Sequence, residues 1–271
     1  MDDIRQNTSY ANYLSHVGWR VNKIEDVTMY IREIPLCGTF VKVQRPDKLS
    51  QKVITKALLK HKPFRIVVEP KNDMDAKKLE DSGFKQTKTP FVPSKTILLD
   101  LIQTPEKLLS QMSKDARTSI KKTDNLALVE TTPEDFRQRW RASVPIKRYV
   151  MSIHDLDVLK DSFGENVLFL TTKSGGSGGL FLFAQNIGYY WQGFTSKTER
   201  QTLAQYQVVW QGILWAKKRG AKQFDFEGIF DERFPISSWH GFTAFKKKFG
   251  GQVTQYPGAY EKIYWRNWRL F

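Results

Sequence analysis

Short β-strand patterns alternate with helix patterns along this chain, and this order of patterns occurs twice. Strands are predicted at 19–24, 27–33 and 38–44, followed by a helix near 49–61. The order begins again with a strand at 126–129, after which Thr132-Pro133-Glu134 has the composition of a helix start. Strands that alternate with helices in this way predict two similar α/β modules with mixed sheets.

The second half continues the pattern with a group of strands, a long helix and a further strand. The strands at 167–170, 179–183 and 189–191 read as an antiparallel meander. A helix is predicted from 201 to 219, ending at Gly220, because apolar and aromatic residues recur there at intervals of three and four. The strand at 223–227 follows and is predicted to end at Gly228.

Composition and length restrict the class of protein. The chain has 271 residues, 40% of them hydrophobic, which is enough for one large core or two smaller ones. The single Cys37 excludes a disulfide framework and a cysteine metal site, so a reducing cytoplasm is expected, although a bacterial surface protein without disulfides has the same cysteine content. No apolar run approaches the ~20 residues that span a bilayer, and the first residues lack the pattern of a signal peptide. We therefore expect a cytoplasmic protein, soluble or peripheral at the inner face of the cell membrane.

The net charge of +15 indicates an anionic partner such as RNA, an acidic membrane surface or a phosphorylated substrate. General solubility is the alternative explanation. The cations are concentrated after His240, where Lys and Arg alternate with aromatic residues up to Trp268 and Arg269. This alternation is typical of nucleic-acid surfaces, but an edge strand with a basic outer face has the same pattern.

Two features that resemble ligand sites have simpler explanations. The glycine-rich segment 173–179 leads into a strand rather than a helix, which favours a hairpin turn over a phosphate-binding loop. The four histidines are widely spaced and show no metal-ligand pattern. No metal and no cofactor is expected.

A pair of carboxylates and a basic helix are stronger candidates for a site. Asp225 and Glu227 lie two residues apart on the strand predicted at 223–227, so both should point to one face, which is either a site or a solvated sheet face. Because ligands gather at the carboxyl ends of strands in open α/β sheets, position favours a site. In the run 241–251, Phe245 and Phe249 form an apolar helix face beside three lysines and a final Gly-Gly. The lysines are either a solvated face or include one that approaches the body of the protein.

The order of short motifs adds what spacing alone does not give. In chain order they are Tyr189-Tyr190-Trp191-Gln192-Gly193, Tyr206, Trp210, Trp215-Ala216-Lys217, Gly220-Ala221, Asp225-Phe226-Glu227-Gly228 and Phe245-Lys246-Lys247-Lys248-Phe249-Gly250-Gly251. This order resembles the FemABX family of non-ribosomal peptidyltransferases, which attach amino acids from aminoacyl-tRNA to the stem peptide of peptidoglycan precursors. The resemblance is good over 180–258 and looser in the first half. It implies a fold of two tandem acyltransferase modules of the GNAT type with mixed, largely antiparallel sheets, the first at 1–125 completed by 254–271, the second at 126–253.

The resemblance also implies roles for individual residues. Lys246 corresponds to the lysine near the reacting ester and the tRNA end. Lys23 becomes a candidate for the phosphates of the cell-wall precursor, and Arg148 for the family's second phosphate-binding arginine. The remaining candidates for substrate contact are Trp19, Tyr190, Tyr206, Glu227 and Phe245. The chain departs from the family pattern at two places: Glu227 stands where the family usually has glycine, and 193–203 lacks the usual asparagine-rich turn.

Aminolysis of an ester suits these residue types, because the aminoacyl ester is already activated and the amine needs orientation, deprotonation and oxyanion stabilisation. The hypothesis gives Lys246 the role of cation and Asp225 that of orienting the amine. The implied partners are aminoacyl-tRNA and a nucleotide- or lipid-linked muramyl peptide. Peripheral contact with an anionic membrane and a monomeric state are expected.

Three other functions stay open. One is an acyl-CoA-dependent N-acyltransferase of the same fold, although 196–202 has no glycine for a pyrophosphate loop. The second is a non-catalytic module that binds tRNA or the cell-wall precursor. The third is a tRNA-dependent transferase acting on protein amino termini.

Overall fold

The computed structural model describes residues 3–264, which form two compact units. The first unit contains the chain up to Ser94, the short segment Asp231–Phe234, and the chain from Gln255 onward. The second contains Lys95–Phe230 and Pro235–Thr254. The second unit thus begins at Lys95, earlier than the boundary at 125/126 expected from the repeat. The predicted basic and aromatic positions Trp265, Arg266, Trp268 and Arg269 lie outside the described residues.

Thirteen strands lie within residues 3–264: β1 Arg20–Ile24, β2 Val27–Ile34, β3 Gly38–Gln44, β4 Arg65–Glu69, β5 Lys85–Gln86, β6 Lys95–Asp100, β7 Leu128–Glu130, β8 Val167–Thr172, β9 Ser177–Ala184, β10 Ile187–Thr195, β11 Gln223–Asp225, β12 Gln252–Gln255 and β13 Tyr260–Ile263. The same residues form ten α-helices: α1 Thr8–His16, α2 Gln51–His61, α3 Asp73–Asp81, α4 Pro105–Gln111, α5 Lys114–Lys122, α6 Pro133–Ser143, α7 Ile153–Phe163, α8 Lys197–Gln201, α9 Ala204–Lys218 and α10 His240–Lys247.

The first unit is built on a six-stranded mixed sheet in the order β1-β2-β3-β4-β13-β5. Strands β3 and β4 are parallel, with Val41 opposite Ile66 and Val43 opposite Val68. The other pairs are antiparallel, including those that β13 makes with β4 and β5. One face of this sheet packs against apolar residues of α2 and α3 and forms the core of the unit.

The second unit is built on a seven-stranded sheet in the order β12-β6-β11-β10-β9-β8-β7. Strands β8, β9 and β10 form the predicted antiparallel meander, and β10 and β11 are parallel. The unit begins at β6 because this strand pairs with β11, while Leu108 of α4 and Ile120 of α5 lie in the same core. The largely antiparallel, mixed sheets agree with the predicted fold class.

The helix starts predicted for α4 and α6 are confirmed, whereas the break between α8 and α9 was not predicted. The side chains of Thr104 and Thr132 cap α4 and α6 as predicted, each accepting a hydrogen bond from a backbone N–H three residues later. The predicted helix 201–219 is wrong at its start: α8 ends at Gln201 and α9 begins at Ala204. Leu203 separates them because its φ of 63° is left-handed and interrupts the helix.

The Gly250-Gly251 pair ends the segment after α10, as its composition predicts. Both glycines have positive φ, and a Cβ on Gly251 would lie 2.6 Å from the carbonyl oxygen of Leu98. The chain then enters β12, at the edge of the second unit's own sheet. The chain enters the first unit only at the end of this strand, from Gln255 onward.

Within residues 3–264, no helix has the length and apolar character needed to cross a bilayer.

Candidate functional site

The candidate site lies where the parallel strands β10 and β11 stop pairing. They pair only from Ile187 opposite Gln223 to Tyr189 opposite Asp225. Immediately afterwards β10 has a register irregularity between Tyr190 and Gln192, and β11 ends. Open α/β sheets bind ligands at the carboxyl ends of parallel strands, so the ends of β10 and β11 form the candidate site.

A tight turn follows β11, and it corrects the predicted geometry of the two carboxylates. Glu227 has a φ of 58°, and its backbone N–H donates a 2.7 Å hydrogen bond to Oδ1 of Asp225. The strand therefore ends at Asp225 rather than at 227, and the two residues do not share one strand face. The same left-handed conformation explains why a glycine suits position 227, since glycine adopts it without steric cost.

The hydroxyl of Thr96, on the neighbouring strand β6, also stabilises this turn through hydrogen bonds. Its Oγ1 is hydrogen-bonded to Oδ1 of Asp225 and lies 2.6 Å from the carbonyl oxygen of Glu227. Thr96 is 1% exposed, so water does not replace these bonds. Buried hydrogen bonds favour a single backbone geometry, and here they fix the direction of the turn after Asp225.

Lys246, on α10, extends into the same turn. Its Nζ donates a 2.7 Å hydrogen bond to the carbonyl oxygen of Gly228, and the side chain is buried. The ammonium also lies 4.9 Å from the centre of the Phe242 ring and 5.7 Å from that of Tyr190. A cation is thus enclosed by aromatic rings and a backbone carbonyl at the end of β11.

Burial lowers the pKa of Lys246 from 10.5 to about 8, while the negative charges of Glu227 and Asp225 act in the opposite direction. An amine with this pKa is mostly charged at neutral pH and loses its proton in mildly alkaline solution. It can therefore stabilise a developing negative charge near neutrality, and it exchanges a proton more readily than an exposed lysine does.

Tyr190 forms the wall next to this cation. Its hydroxyl accepts a 2.8 Å hydrogen bond from Nε2 of Gln205, which also donates to the carbonyl of Gly178. The ring stacks on Phe181, with centroids 5.4 Å apart, and burial raises the pKa of the phenol. Only glycine fits at Gly193, because a Cβ there would lie 1.9 Å from the Tyr190 hydroxyl.

Tyr206 and Phe245 lie together beside Lys246 in the second unit. Tyr206 contacts Phe245 edge-on at 4.9 Å and stacks on the fully buried Phe249 at 5.6 Å between ring centroids. These rings attach α10 to α9. Of the other two lysines in the triplet, Lys247 is exposed and Lys248 forms a 3.0 Å ion pair with Asp115.

The remaining predicted residues lie on other elements. Lys23 is exposed on β1, with its Nζ 3.9 Å from Asp26, and Trp19 precedes that strand in the first unit. Arg148 is exposed between α6 and α7, and its carbonyl accepts a 3.0 Å hydrogen bond from Arg141. The structure therefore groups Lys246 with Asp225, Glu227 and Tyr190 in the second unit. Trp19 and Lys23 belong to the first unit, and Arg148 belongs to the loop before α7.

Sequence reasoning missed three residues. Thr96 and Gln205 act through hydrogen bonds to the site, and neither stands in a sequence motif with a chemical signature of its own. Lys42, in the first unit, is buried with its Nζ 4.0 Å from the centre of the Trp19 ring. Burial lowers its pKa to about 8. A lysine between two valines in a buried strand was the available signal.

Three comparisons relate this geometry to known proteins. Residues 170–265 match the model of the FemAB family. A lipid II:glycine glycyltransferase of Staphylococcus epidermidis is 29% identical over 87 residues, which make up 32% of this chain and 21% of that protein. The chain thus spans about a fifth of the length of that relative.

Two solved structures show the fold over nearly the whole chain. The crystal structure of FemX superposes with a TM-score of 0.79 at 16% identity, covering 97% of this chain and 92% of that one. A tandem GNAT protein from the clavulanic acid biosynthesis pathway has a TM-score of 0.52 at 9% identity, covering 88% of this chain and 78% of the other. The predicted fold of two tandem GNAT-like modules is confirmed.

Proposed function

We propose that this chain transfers an amino acid from aminoacyl-tRNA to the stem peptide of a peptidoglycan precursor, and the match of residues 170–265 to the FemAB family supports this proposal. The name of the staphylococcal relative supports the precursor as acceptor. The net charge of +15 supports a polyanionic donor such as tRNA. The acceptor is either a soluble nucleotide-linked muramyl peptide, used in the cytoplasm, or a lipid-linked one, used at the inner face of the membrane.

The observation that carries the proposal is the buried ammonium of Lys246 at the end of β11. A buried lysine normally costs stability, so its retention beside two carboxylates needs a reason. Perturbed titratable groups of this kind are typical of catalytic sites. The hydrogen bond to the carbonyl of Gly228 fixes the position of Nζ in advance of the reaction.

The reaction is the aminolysis of an ester. The free amine of the acceptor attacks the ester carbonyl carbon, a C–N bond forms, the C–O bond to the ribose breaks, and the proton lost by the amine goes to the departing ribose oxygen. Negative charge develops first on the carbonyl oxygen and then on the ribose oxygen. In the proposal, the Lys246 ammonium stabilises this charge, an effect that typically contributes about 10²–10³ in rate.

The two carboxylates have different roles in this mechanism. Asp225 holds the turn through the Glu227 N–H and Thr96, and its charge helps to keep Lys246 protonated. Glu227 contributes charge to the same ammonium from beyond the strand. That Asp225 also orients the attacking amine stays a prediction.

A transfer assay with purified protein tests the proposal. Radiolabelled aminoacyl-tRNAs are incubated with nucleotide-linked or lipid-linked muramyl pentapeptide, and label is followed into the peptide. We expect transfer by the wild type and a loss of about 10²–10³ in rate for Lys246→Ala. The matched control is Lys247→Ala, an exposed lysine on the same helix, which should keep the wild-type rate.

Other outcomes of this assay decide against the proposal. Equal rates for Lys246→Ala and wild type remove Lys246 from the mechanism. Binding of both substrates without turnover identifies a non-catalytic module. Tight binding of acetyl-CoA in a titration calorimeter, together with acetyl transfer, identifies an acyl-CoA-dependent enzyme.

A further inference from the structure

The loop between α6 and α7, residues 144–152, exposes apolar side chains to solvent, whereas solvent-exposed loops usually carry polar ones. Ile146 is 92% exposed and Tyr149 is 69% exposed. They flank Lys147 and Arg148, which are also exposed. The α6–α7 loop therefore combines an aliphatic tip, an aromatic ring and two cations within four residues.

The charged residues within this loop are all basic. From Arg141 to His154 the sequence contains Arg141, Lys147 and Arg148 and no Asp or Glu. The nearest carboxylate that follows is Asp155, in the first turn of α7, whose charge acts on the Tyr149 phenol. Basic residues beside exposed apolar ones match a surface that is negatively charged outside and apolar below.

Several backbone groups on either side of the loop tip are hydrogen-bonded within the protein. The guanidinium of Arg141 donates to the carbonyl oxygens of Val144, Pro145 and Arg148. The N–H of Arg148 donates a 2.9 Å bond to the carbonyl of Pro145, which closes a turn with Ile146 and Lys147 at its tip. Moving a peptide carbonyl out of water costs free energy unless it has a hydrogen-bond partner, so these bonds lower the cost of bringing Val144, Pro145 and Arg148 to an interface with less water.

We propose that the α6–α7 loop docks the protein on an anionic lipid bilayer, with Ile146 and Tyr149 entering the interfacial layer and Lys147 and Arg148 contacting lipid phosphates. The aliphatic tip favours lipid over RNA. An isoleucine gains free energy from contact with acyl chains and has no comparable partner on a sugar–phosphate backbone, whereas a tyrosine suits the membrane interface. This inference does not depend on the proposed transferase activity, because docking requires no turnover.

Vesicle sedimentation tests the inference with the full chain. We expect the protein to bind vesicles containing phosphatidylglycerol and to bind pure phosphatidylcholine vesicles far more weakly. Replacing the apolar pair (Ile146→Ser with Tyr149→Ser) should lower the partition coefficient by about tenfold or more. Reversing the charges (Lys147→Glu with Arg148→Glu) should lower it by a similar factor and reduce its dependence on salt.

The matched control is Ile102→Ser, which removes an isoleucine of the second unit that is 74% exposed and lies outside this loop. Its partition coefficient should equal that of the wild type, and circular dichroism should show each variant folded. The inference is overturned if the wild type does not distinguish the two vesicle types or if Ile102→Ser weakens binding as much as the loop variants. It is also overturned if the apolar pair has no effect on vesicles while the charge reversal abolishes binding of deacylated tRNA, since the loop would then be an RNA surface.

Discussion

Replacing Lys246 by Met measures how much the buried ammonium lowers the free energy of unfolding. Met has a similar length and no charge, so it fills the same space without the ammonium. Burial lowers the pKa of Lys246 from 10.5 to about 8, and at about 1.4 kcal/mol per pH unit the difference corresponds to about 3 kcal/mol. The lost hydrogen bond to the Gly228 carbonyl offsets about 1–3 kcal/mol of that gain. Near pH 7 the free energy of unfolding of Lys246→Met should therefore exceed that of the wild type by at most about 2 kcal/mol.

The stability difference between the wild type and Lys246→Met should change with pH, and this change tests the reasoning more directly than the difference at one pH. Below pH 8 the lysine is charged in the folded and in the unfolded chain, so the full cost of burial is present. Between pH 8 and 10.5 the folded protein has released this proton and the unfolded chain has not, so the wild type gains stability as the pH rises. Measured relative to Lys246→Met, the free energy of unfolding of the wild type should be about 2 kcal/mol higher at about pH 9.5 than near pH 7.

Urea unfolding followed by circular dichroism measures this difference at both pH values. Other titrating groups, including Lys42, are common to both proteins and cancel in the comparison. Lys247→Met serves as the control and should stay within about 0.5 kcal/mol of the wild type at both pH values, since that side chain is exposed. A difference between wild type and Lys246→Met that does not change from neutral to alkaline pH would refute the reasoning.

Three further substitutions test the geometry around this lysine. Thr96→Val leaves the Asp225 carboxylate and the Glu227 carbonyl without their hydroxyl partner and should cost about 1–3 kcal/mol in thermal unfolding, whereas Thr96→Ser should recover most of it. Glu227→Gly should leave stability within about 1 kcal/mol because it removes a left-handed non-glycine residue. It should also move the alkaline limb of the transfer rate to lower pH, since the Glu227 charge raises the pKa of Lys246; an unmoved limb contradicts this coupling. Gly193→Ala should lower the melting temperature by an amount equivalent to about 1–3 kcal/mol, because its Cβ would overlap the Tyr190 hydroxyl, while Gly241→Ala, which meets open space on α10, should not lower it.

Local chemistry made much of the fold predictable. The capping residues Thr104 and Thr132 and the prolines after them specify where α4 and α6 begin, and these signals act within one helical turn. The alternating apolar runs at 167–191 specify the meander because each strand pairs with its neighbour in sequence. Lys246 was predicted as the lysine of the triplet with a specific role, from the order of motifs, and that role remains a proposal.

The features that the sequence did not reveal depend on distant contacts or on backbone conformation. Thr96 meets Asp225 across 129 positions of sequence, so no local pattern records the pair. Glu227 and Leu203 adopt left-handed conformations that their side chains disfavour, and tertiary structure imposes them against local preference. For that reason the strand before Glu227 and the helix after Leu203 were both predicted too long.

The position of β13 has a consequence for how the protein is made. This strand fills the gap between β4 and β5, so the ribosome must synthesise the whole second unit before the first sheet can close. At a translation rate of about 5–20 residues per second, roughly 10–40 seconds pass between the synthesis of β4 and that of its partner β13. During that interval its exposed edge can pair with other nascent chains. Translation speed and chaperone supply should therefore govern the yield of soluble protein, and the unit that emerges first is the last to be completed.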